Sequence, residues 1–154
     1  MAEAVTLRAY APADNAAVAA LLGELGYPCT PDAVAVRMQR MQQAGGYECH
    51  VACGANGVCG VLQLRDGFSL EHDENFIHVL ALVVAENMRG QGIGRALMQL
   101  AAQRAIAAGA ARLLVNSGLQ RTDAHAFYRS MGYAQTGLRF VKTLSSEPAV
   151  NKLN

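Results

Sequence analysis

A glycine-rich segment, Arg89-Gly90-Gln91-Gly92-Ile93-Gly94, has the composition of a loop that binds phosphate groups. It follows an apolar run and leads into a helical pattern in which Ile93, Leu97 and Ala101 fall on one face. Glycine permits a sharp turn and lets a ligand approach the backbone closely. The N–H groups of the first helical turn and the positive end of the helix dipole favour an anion. The segment therefore predicts a phosphate site.

Other interpretations of this loop fit the sequence less well. A dinucleotide-binding fingerprint, G-x-G-x-x-G, would need a glycine at Arg95 and an acidic residue about 20 residues further on, and both are missing. A P-loop requires the pair Gly-Lys, which does not occur. A loop that served only to turn the chain would forfeit up to about 1 kcal/mol of helix propensity at each glycine, so we favour a binding role.

Cysteine and histidine suggest a second chemistry, metal binding, which their spacing does not support. Cys49, Cys53 and Cys59 lie near His50, but no C-x-x-C pair occurs. We expect no metal site and interpret these cysteines as small buried side chains on strands. We expect them, and Cys29, to stay reduced.

The elements that must position the glycine loop alternate between strands and helices. The predicted strands are Val5–Tyr10, Tyr47–Ala52, Val58–Leu64, Phe76–Val84, Arg112–Asn116, Tyr133–Thr136 and Leu138–Leu144. Four helices are predicted, each between a start signal and a glycine. They run from Asp14 to Gly26, from Thr30 to Gly45, from the glycine loop to Gly109, and from Thr122 or Asp123 to Gly132. Asn56-Gly57 predicts a hairpin between the second and third strands, and the polar stretch 66–75 is typical of a solvated loop.

Length and composition restrict the class of protein. The chain has 154 residues, a usual length for one domain, so we expect one domain over residues 1–144 and a tail over 145–154. A hydrophobic share of 52% excludes a disordered chain, and a net charge of +1 gives no field that favours nucleic acid or a membrane surface. No apolar run approaches the roughly 20 residues of a transmembrane helix. Residues 1–6 lack the basic and apolar parts of a secretory signal, so we expect a cytoplasmic protein.

Two motifs make the sequence similar to the GNAT acetyltransferase superfamily. Arg89–Gly94 matches the R/Q-x-x-G-x-G/A signature of that family and follows a run, Leu82–Val84, that matches its fourth strand. Ala126–Tyr133 matches its F-Y-x-x-x-G-[FY] motif. The resemblance extends from Val5 to Leu144 and implies a single-domain α/β (α+β) fold. Its sheet would be mixed and mostly antiparallel, with about six to seven strands flanked by about four helices.

The resemblance also implies a co-substrate, acetyl-CoA. The residues that would hold its pyrophosphate are those of the glycine loop: Met88, Arg89, Gly90, Gln91, Gly92, Ile93, Gly94 and Arg95. The pantetheine arm would pair like an added strand along Leu82, Val83 and Val84, whose N–H groups could steady a developing oxyanion. Arg121 replaces the asparagine of most members and would contact CoA or an anionic group of the substrate.

Acyl transfer to an amine needs a proton donor for the departing thiolate and a neutral amine. By resemblance the donor is Tyr128, although its spacing alone favours a core aromatic. His78 on the fourth strand could accept a proton near neutral pH, or could be a satisfied histidine at the rim of the core. Ala81 stands where many relatives have glutamate. Glu71, His72 and Glu74 could form an acidic lip that attracts a cationic amine, or could simply be solvated.

The pattern R-x-D-A-H-x-F-Y from Arg121, followed by R-F-x-K-x-L from Arg139, is similar to the aminoalkylphosphonate N-acetyltransferase branch. We therefore expect an N-acetyltransferase that moves an acetyl group from acetyl-CoA to a small primary amine by direct attack on the thioester. Two alternatives stay open: a non-catalytic acyl-CoA-binding sensor, and an acetyltransferase that acts on a protein amine. A cysteine nucleophile would be the alternative mechanism. The C-terminal β-runs could pair with a second copy to make a homodimer.

Overall fold

The computed structural model describes residues 4–145. These residues form two units, 4–115 and 116–145, each with its own internal contacts. The predicted C-terminal tail lies, apart from residue 145, outside the described residues, as do residues 1–3. One domain over residues 1–144 stays a prediction.

The first unit contains one sheet and three α-helices, and the second contains one α-helix. The strands are β1 (Thr6–Ala9), β2 (Tyr47–Gly54), β3 (Gly57–Ser69), β4 (His72–Val84) and β5 (Arg112–Val115). The helices are α1 (Asn15–Leu25), α2 (Pro31–Ala44), α3 (Ile93–Ala107) and α4 (Thr122–Ser130), with short 3-10 turns at Pro12–Asp14 and Glu86–Met88.

The strands lie in the order β1-β2-β3-β4-β5. Neighbouring strands are antiparallel from β1 to β4, whereas β4 and β5 are parallel. The predicted mixed and mostly antiparallel sheet with four helices is confirmed. The predicted number of six to seven strands is wrong, because the sheet of the described chain has five.

The two missing strands are the C-terminal runs Tyr133–Thr136 and Leu138–Leu144, neither of which joins the sheet. Their composition suits a strand, but a strand needs a neighbour that supplies hydrogen bonds and packing. The apolar side chains of the second run stand in solvent instead, and that of Phe140 is 88% exposed.

The polar stretch 66–75, predicted as a loop, belongs mostly to strands. β3 and β4 stay paired up to Ser69 and His72, and a tight turn at Leu70-Glu71 joins them. Gly67 lies opposite Phe76, whose ring carbons would be 2.4 Å from a Cβ at this glycine. The ring thus covers the glycine and supports the pairing of the two strands beyond the core.

Local signals account for several element boundaries. The Thr30 hydroxyl accepts a hydrogen bond from the Ala33 N–H (3.1 Å), so the predicted cap of α2 is confirmed. The predicted hairpin between β2 and β3 is confirmed, with Ala55 and Asn56 in its turn and Gly57 as the first residue of β3. Asp14 does not cap α1 through its side chain. Its buried carboxylate forms a two-pronged ion pair with Arg8 (2.8 Å at each oxygen), because a buried charge is stable only when it is paired.

The two faces of the sheet have separate cores. On one face Val51, Val61 and Val83 pack with residues of α1 and α2, among them Val18 and Val34. This is the α1/α2 face. On the other face the chain passes close to α3, where a Cβ at Gly60 would meet Leu97 (3.1 Å) and Ile93 (3.4 Å). This is the α3 face.

No helix within residues 4–145 combines the length and the apolar character needed to cross a membrane.

Candidate functional site: an open strand edge, a glycine loop and a cavity

The two edges of β4 differ in how much of the strand they pair. Toward β3, β4 is paired from His72 to Val84. Toward β5, the pairing covers only Phe76–Val79. No strand of the described chain pairs with the β5-side edge of β4 beyond Val79. The last five residues of β4 therefore present an open edge within the first unit.

A bulge marks the point where this edge opens. Gln63 pairs with Ala81 and Leu64 pairs with Val79, so Leu80 has no counterpart on β3. A β-bulge of this kind bends a strand and re-aims the groups that follow it. The Leu80 side chain is 40% exposed. No signal in the sequence marked this bulge.

The backbone groups of Leu82 and Val84 point to the open edge. The N–H of Ala85 donates to the Cys59 carbonyl on β3 (2.8 Å), and successive residues of a strand present their backbone groups to opposite edges. Val83 accordingly pairs with β3, and its side chain lies in the core of the α1/α2 face. The Val84 carbonyl accepts a hydrogen bond from the Arg89 guanidinium (3.0 Å), which ties the loop to this edge.

The glycine loop has the backbone that the sequence predicts. Gly90 (φ +76°) and Gly92 (φ +83°) adopt left-handed conformations, which other residues rarely adopt. α3 begins directly after Gly92, whose carbonyl accepts the bond from Ala96 N–H (3.0 Å). The N–H groups of Ile93, Gly94 and Arg95 precede this first helical bond, so helix geometry leaves them without an acceptor inside the helix.

The side chains of the loop differ in exposure. Met88 is half-buried in the 3-10 turn before the loop, whereas the side chains of Arg89, Gln91 and Arg95 are exposed. Two exposed, positively charged guanidinium groups thus lie near the start of α3, where the helix dipole is also positive. Both favour an anion at this place.

His78 lies on β4 before the bulge. It pairs with Arg65 on β3 and with Leu114 on β5, and it is half-buried. Arg65 follows Gln63 by two residues on β3, so His78 and Gln63 share the α1/α2 face. Ala81, two residues before Val83, lies on that face too.

A cavity of about 380 Å³ lies on the α1/α2 face of the first unit. Its lining comes from the segment after β1 and from α2, β2 and β3: Tyr10, Pro12, Met38, Met41, Gln42, Tyr47, Glu48, Cys49 and Gln63. The Gln63 amide donates a hydrogen bond to the Met41 thioether. Sequence reasoning missed this cavity, because its lining comes from four distant segments. The one available signal was Gln63, a polar residue within an apolar strand.

Cys49 lines this cavity with a half-buried thiol side chain. Burial, together with the smaller effect of the Asp14 charge, raises the pKa of its thiol to about 12. The thiol therefore stays protonated at neutral pH and is a poor nucleophile. Burial also raises the pKa of Tyr10, whose hydroxyl donates to the Asn15 side chain.

A second cavity, of about 230 Å³, is bordered by Glu48 and Arg104. The Arg104 guanidinium bonds both oxygens of the Glu48 carboxylate, at 2.5 and 2.9 Å. This bonding, with a further contact from His50, lowers the Glu48 pKa to about 2 against the opposing effect of burial. The pair links the start of β2 to the last turns of α3.

Tyr128 is the buried residue of α4 in the second unit. Its ring packs against those of Phe127 and Tyr133, with centroids 5.4 and 5.8 Å away. Burial raises the pKa of Tyr128, and the charge of Arg121 opposes this shift. The phenol therefore keeps its proton at neutral pH. Arg121 is half-buried at the N-terminus of α4.

Glu71, His72 and Glu74 lie at the exposed tip of the β3–β4 hairpin. His72 precedes Leu82 by ten positions on the same strand, a separation of roughly 30 Å at the rise of extended backbone. The structure thus does not bring these three residues near the open edge of β4. Within residues 4–145, no three His, Cys, Asp or Glu side chains are grouped so as to hold a metal ion, and the four cysteines are free thiols.

Comparisons with known proteins agree with this geometry. The model of the acetyltransferase (GNAT) family matches residues 14–133. The aminoalkylphosphonate N-acetyltransferase of Salmonella typhimurium strain LT2 is 39% identical over 87 residues. The match covers 56% of this chain and 56% of that relative, so it spans just over half of either protein.

Solved structures share the fold. A transcriptional regulator from Bacillus halodurans C-125 superposes with a TM-score of 0.81 at 23% identity, over 90% of this chain and 100% of that chain. Glucosamine-6-phosphate N-acetyltransferase from Arabidopsis thaliana superposes with a TM-score of 0.79 at 14% identity, over 93% and 100%. At these identities the likeness concerns the fold alone.

Proposed function

We propose, since the chain belongs to the GNAT acetyltransferase family, that it transfers an acetyl group from acetyl-CoA to the primary amine of a small molecule. Family membership makes the protein an acyltransferase, and GNAT enzymes use acetyl-CoA as co-substrate. We propose beyond this that the acceptor is a small primary amine and that the residues named below act on it.

The observation that carries the proposal is the open edge of β4 next to the glycine loop. The outward N–H groups of Leu82 and Val84 and the outward carbonyl of Leu82 can pair with the amide-bearing pantetheine arm, as a further strand would. The N–H groups at the start of α3 can then hold the pyrophosphate, with Arg89 and Arg95 to balance its charge. Arg121 is proposed as an additional contact to CoA.

The reaction is direct attack of the neutral amine on the thioester. The N–H of Leu82 can donate to the carbonyl oxygen as negative charge develops on it. A protonated Cys49 gives no support to an acyl-enzyme. We assign Tyr128 as the proton donor to the departing thiolate, since its motif fits this role and burial keeps the phenol protonated.

His78 is the proposed proton acceptor. It shares the cavity-bearing face of the sheet with Ala81, and Ala81 supplies no carboxylate. An imidazole can accept a proton near neutral pH. Glu71, His72 and Glu74 have no part in the proposed mechanism, because the hairpin tip is far from Leu82 along β4.

Two observations support a small-molecule acceptor. The Salmonella relative is named for a small amine, and the 380 Å³ cavity has the size of a site for a small ligand.

A homodimer is proposed too, because the apolar side chains of Leu138, Phe140 and Leu144 stand in solvent. Sedimentation of the purified protein at twice the monomer mass would support the dimer. The cytoplasmic location stays a prediction.

The test is release of CoA from acetyl-CoA with a panel of small amines. Tyr128→Phe should lower kcat by about 100-fold, within the usual range for general acid catalysis, and should leave acetyl-CoA affinity unchanged. Tyr133→Phe is the matched control, since it removes the phenol next to Tyr128 and should retain full activity. Unchanged turnover in Tyr128→Phe would remove this residue from the mechanism. Saturable binding of acetyl-CoA without transfer to any amine would favour a non-catalytic acyl-CoA-binding module.

A further inference from the structure

The 380 Å³ cavity lies one strand away from the proposed thioester position. Gln63 lines the cavity and is the direct partner of Ala81 on β4, and paired residues of neighbouring strands lie about 5 Å apart. Ala81 has only a methyl group on this face, and Leu82, with its outward N–H, follows it. The small side chain of Ala81 therefore adds little bulk between Gln63 and the open edge of β4.

The lining is mostly apolar and aromatic. Met38 and Met41 contribute flexible thioethers, which adapt to ligands of different shape. Tyr10, Tyr47 and Pro12 contribute ring surfaces, and Gln42 and Gln63 contribute neutral amides. Such a lining suits a ligand with a hydrocarbon body and few polar atoms.

The charge of the lining excludes one class of ligand. None of the residues described as lining the cavity is Lys or Arg. Glu48 is its acidic member, but the Glu48 carboxylate lies on the α3 face, where Arg104 bonds both of its oxygens. Arg65, next on the same face of β3, stacks its guanidinium over the Tyr47 ring at 6.0 Å and is not part of the lining. A phosphonate group that entered the cavity would lose its hydration without gaining a cation.

We propose that this cavity is the acceptor site and selects primary amines with an uncharged alkyl or aryl body over amines that carry a phosphonate or phosphate group. The inference rests on the proposed N-acetyltransferase function and names the substrate class of that enzyme. The hydrocarbon body of such an amine contacts the thioethers and rings of the lining.

The experiment compares 2-phenylethylamine with 2-aminoethylphosphonate, which share a two-carbon amine and differ in the terminal group. We expect kcat/KM to be at least about tenfold higher for phenylethylamine, a difference that pocket complementarity readily supplies. Gln42→Arg places a cation in the lining and should reverse the preference or reduce it at least about fivefold. Gln39→Arg, on the same helix but outside the lining, is the matched control and should leave the preference unchanged.

Equal or better turnover of the phosphonate by the wild type would overturn the inference. An effect of Gln42→Arg no larger than that of Gln39→Arg would overturn it as well. If acetyl-CoA binds but no amine is acetylated, the proposed function fails. Calorimetric titration of both amines into the CoA-saturated protein then tests separately whether the cavity binds an amine. Binding of phenylethylamine that is weakened by Gln42→Arg and not by Gln39→Arg would support the proposed acceptor site. Absence of binding to the wild type would overturn the inference.

Discussion

The two edges of β4 show how one strand can serve two purposes. Its edge toward β3 is paired from His72 to Val84, interrupted by the bulge at Leu80. Its edge toward β5 is paired only up to Val79, and the bulge at Leu80 lies directly after that point. Pairing stabilises the fold, whereas unpaired backbone groups are available to a ligand. The comparison of the two edges indicates that the candidate site consists of main-chain groups of β4 that no neighbouring strand pairs. The glycine loop follows these groups in the chain.

The cross-strand pair Leu62 and Leu82 tests this contrast most strongly. Leu62 is 0% exposed, so Leu62→Ala should lower the free energy of unfolding by about 2–5 kcal/mol, the usual cost of a buried leucine. Leu82 is only half-buried at the open end, and Leu82→Ala should cost less than about 2 kcal/mol. Urea unfolding of both variants measures the difference. Equal losses would mean that the open end is packed as tightly as the paired edge.

A second contrast concerns two glycines with the same backbone conformation. Gly92 in the loop and Gly109 after α3 both have a left-handed φ, +83° and +74°, with open space where a Cβ would be. Valine at either position should be similarly strained, by about 1–2 kcal/mol. Only Gly92→Val should weaken acetyl-CoA binding, by at least about tenfold or 1.4 kcal/mol, in calorimetric titration. An equal loss of affinity in Gly109→Val would show that strain alone, not position in the loop, explains the effect.

The smallest expected effect concerns the ion pair on the α3 face. Glu48 has its pKa lowered to about 2, mainly by the Arg104 hydrogen bonds. A depressed carboxyl pKa stabilises the fold above the unfolded value of about 4.3, and this contribution is lost as the pH falls from about 4 toward 2. The pair is partly exposed, so Glu48→Gln should cost only about 0.5–1 kcal/mol at pH 7.

Unfolding of wild type and Glu48→Gln at pH 7 and pH 3 checks this effect. The difference between the two proteins should shrink at the lower pH. Glu71→Gln, at the exposed hairpin tip, is the control and should show no comparable pH dependence. A difference that stayed constant between the two pH values would contradict the assigned cause.

Local signals made much of the fold predictable from sequence. The cap at Thr30, the hairpin between β2 and β3 and the glycine loop each depend on a few adjacent residues, and the structure contains all three. Asp14 did not follow its local signal, because Arg8 pairs with its carboxylate. The C-terminal β-runs have strand composition, but strand formation depends on a partner that composition does not specify.

The site was predictable only where it is built from contiguous sequence. The loop residues and the adjoining end of β4 follow one another in the chain, and a family motif marks them. The bulge at Leu80 depends on the register with β3. The cavity depends on α2, β2, β3 and the segment after β1 coming together. Gln63 and Met41 are separated by 22 residues and carry no motif, so only the folded structure brings them together.

Hydrogen exchange of the β4 amides, with and without acetyl-CoA, tests the central claim most directly. Leu82 and Val84 present their N–H groups to the open edge, whereas those of Ala81 and Val83 face β3. We predict that acetyl-CoA slows exchange at Leu82 and Val84 and at the first N–H groups of α3, and leaves Ala81 and Val83 unchanged. If saturating acetyl-CoA did not slow hydrogen exchange at the amides of Leu82 and Val84, the result would contradict the proposed binding of the co-substrate along this edge.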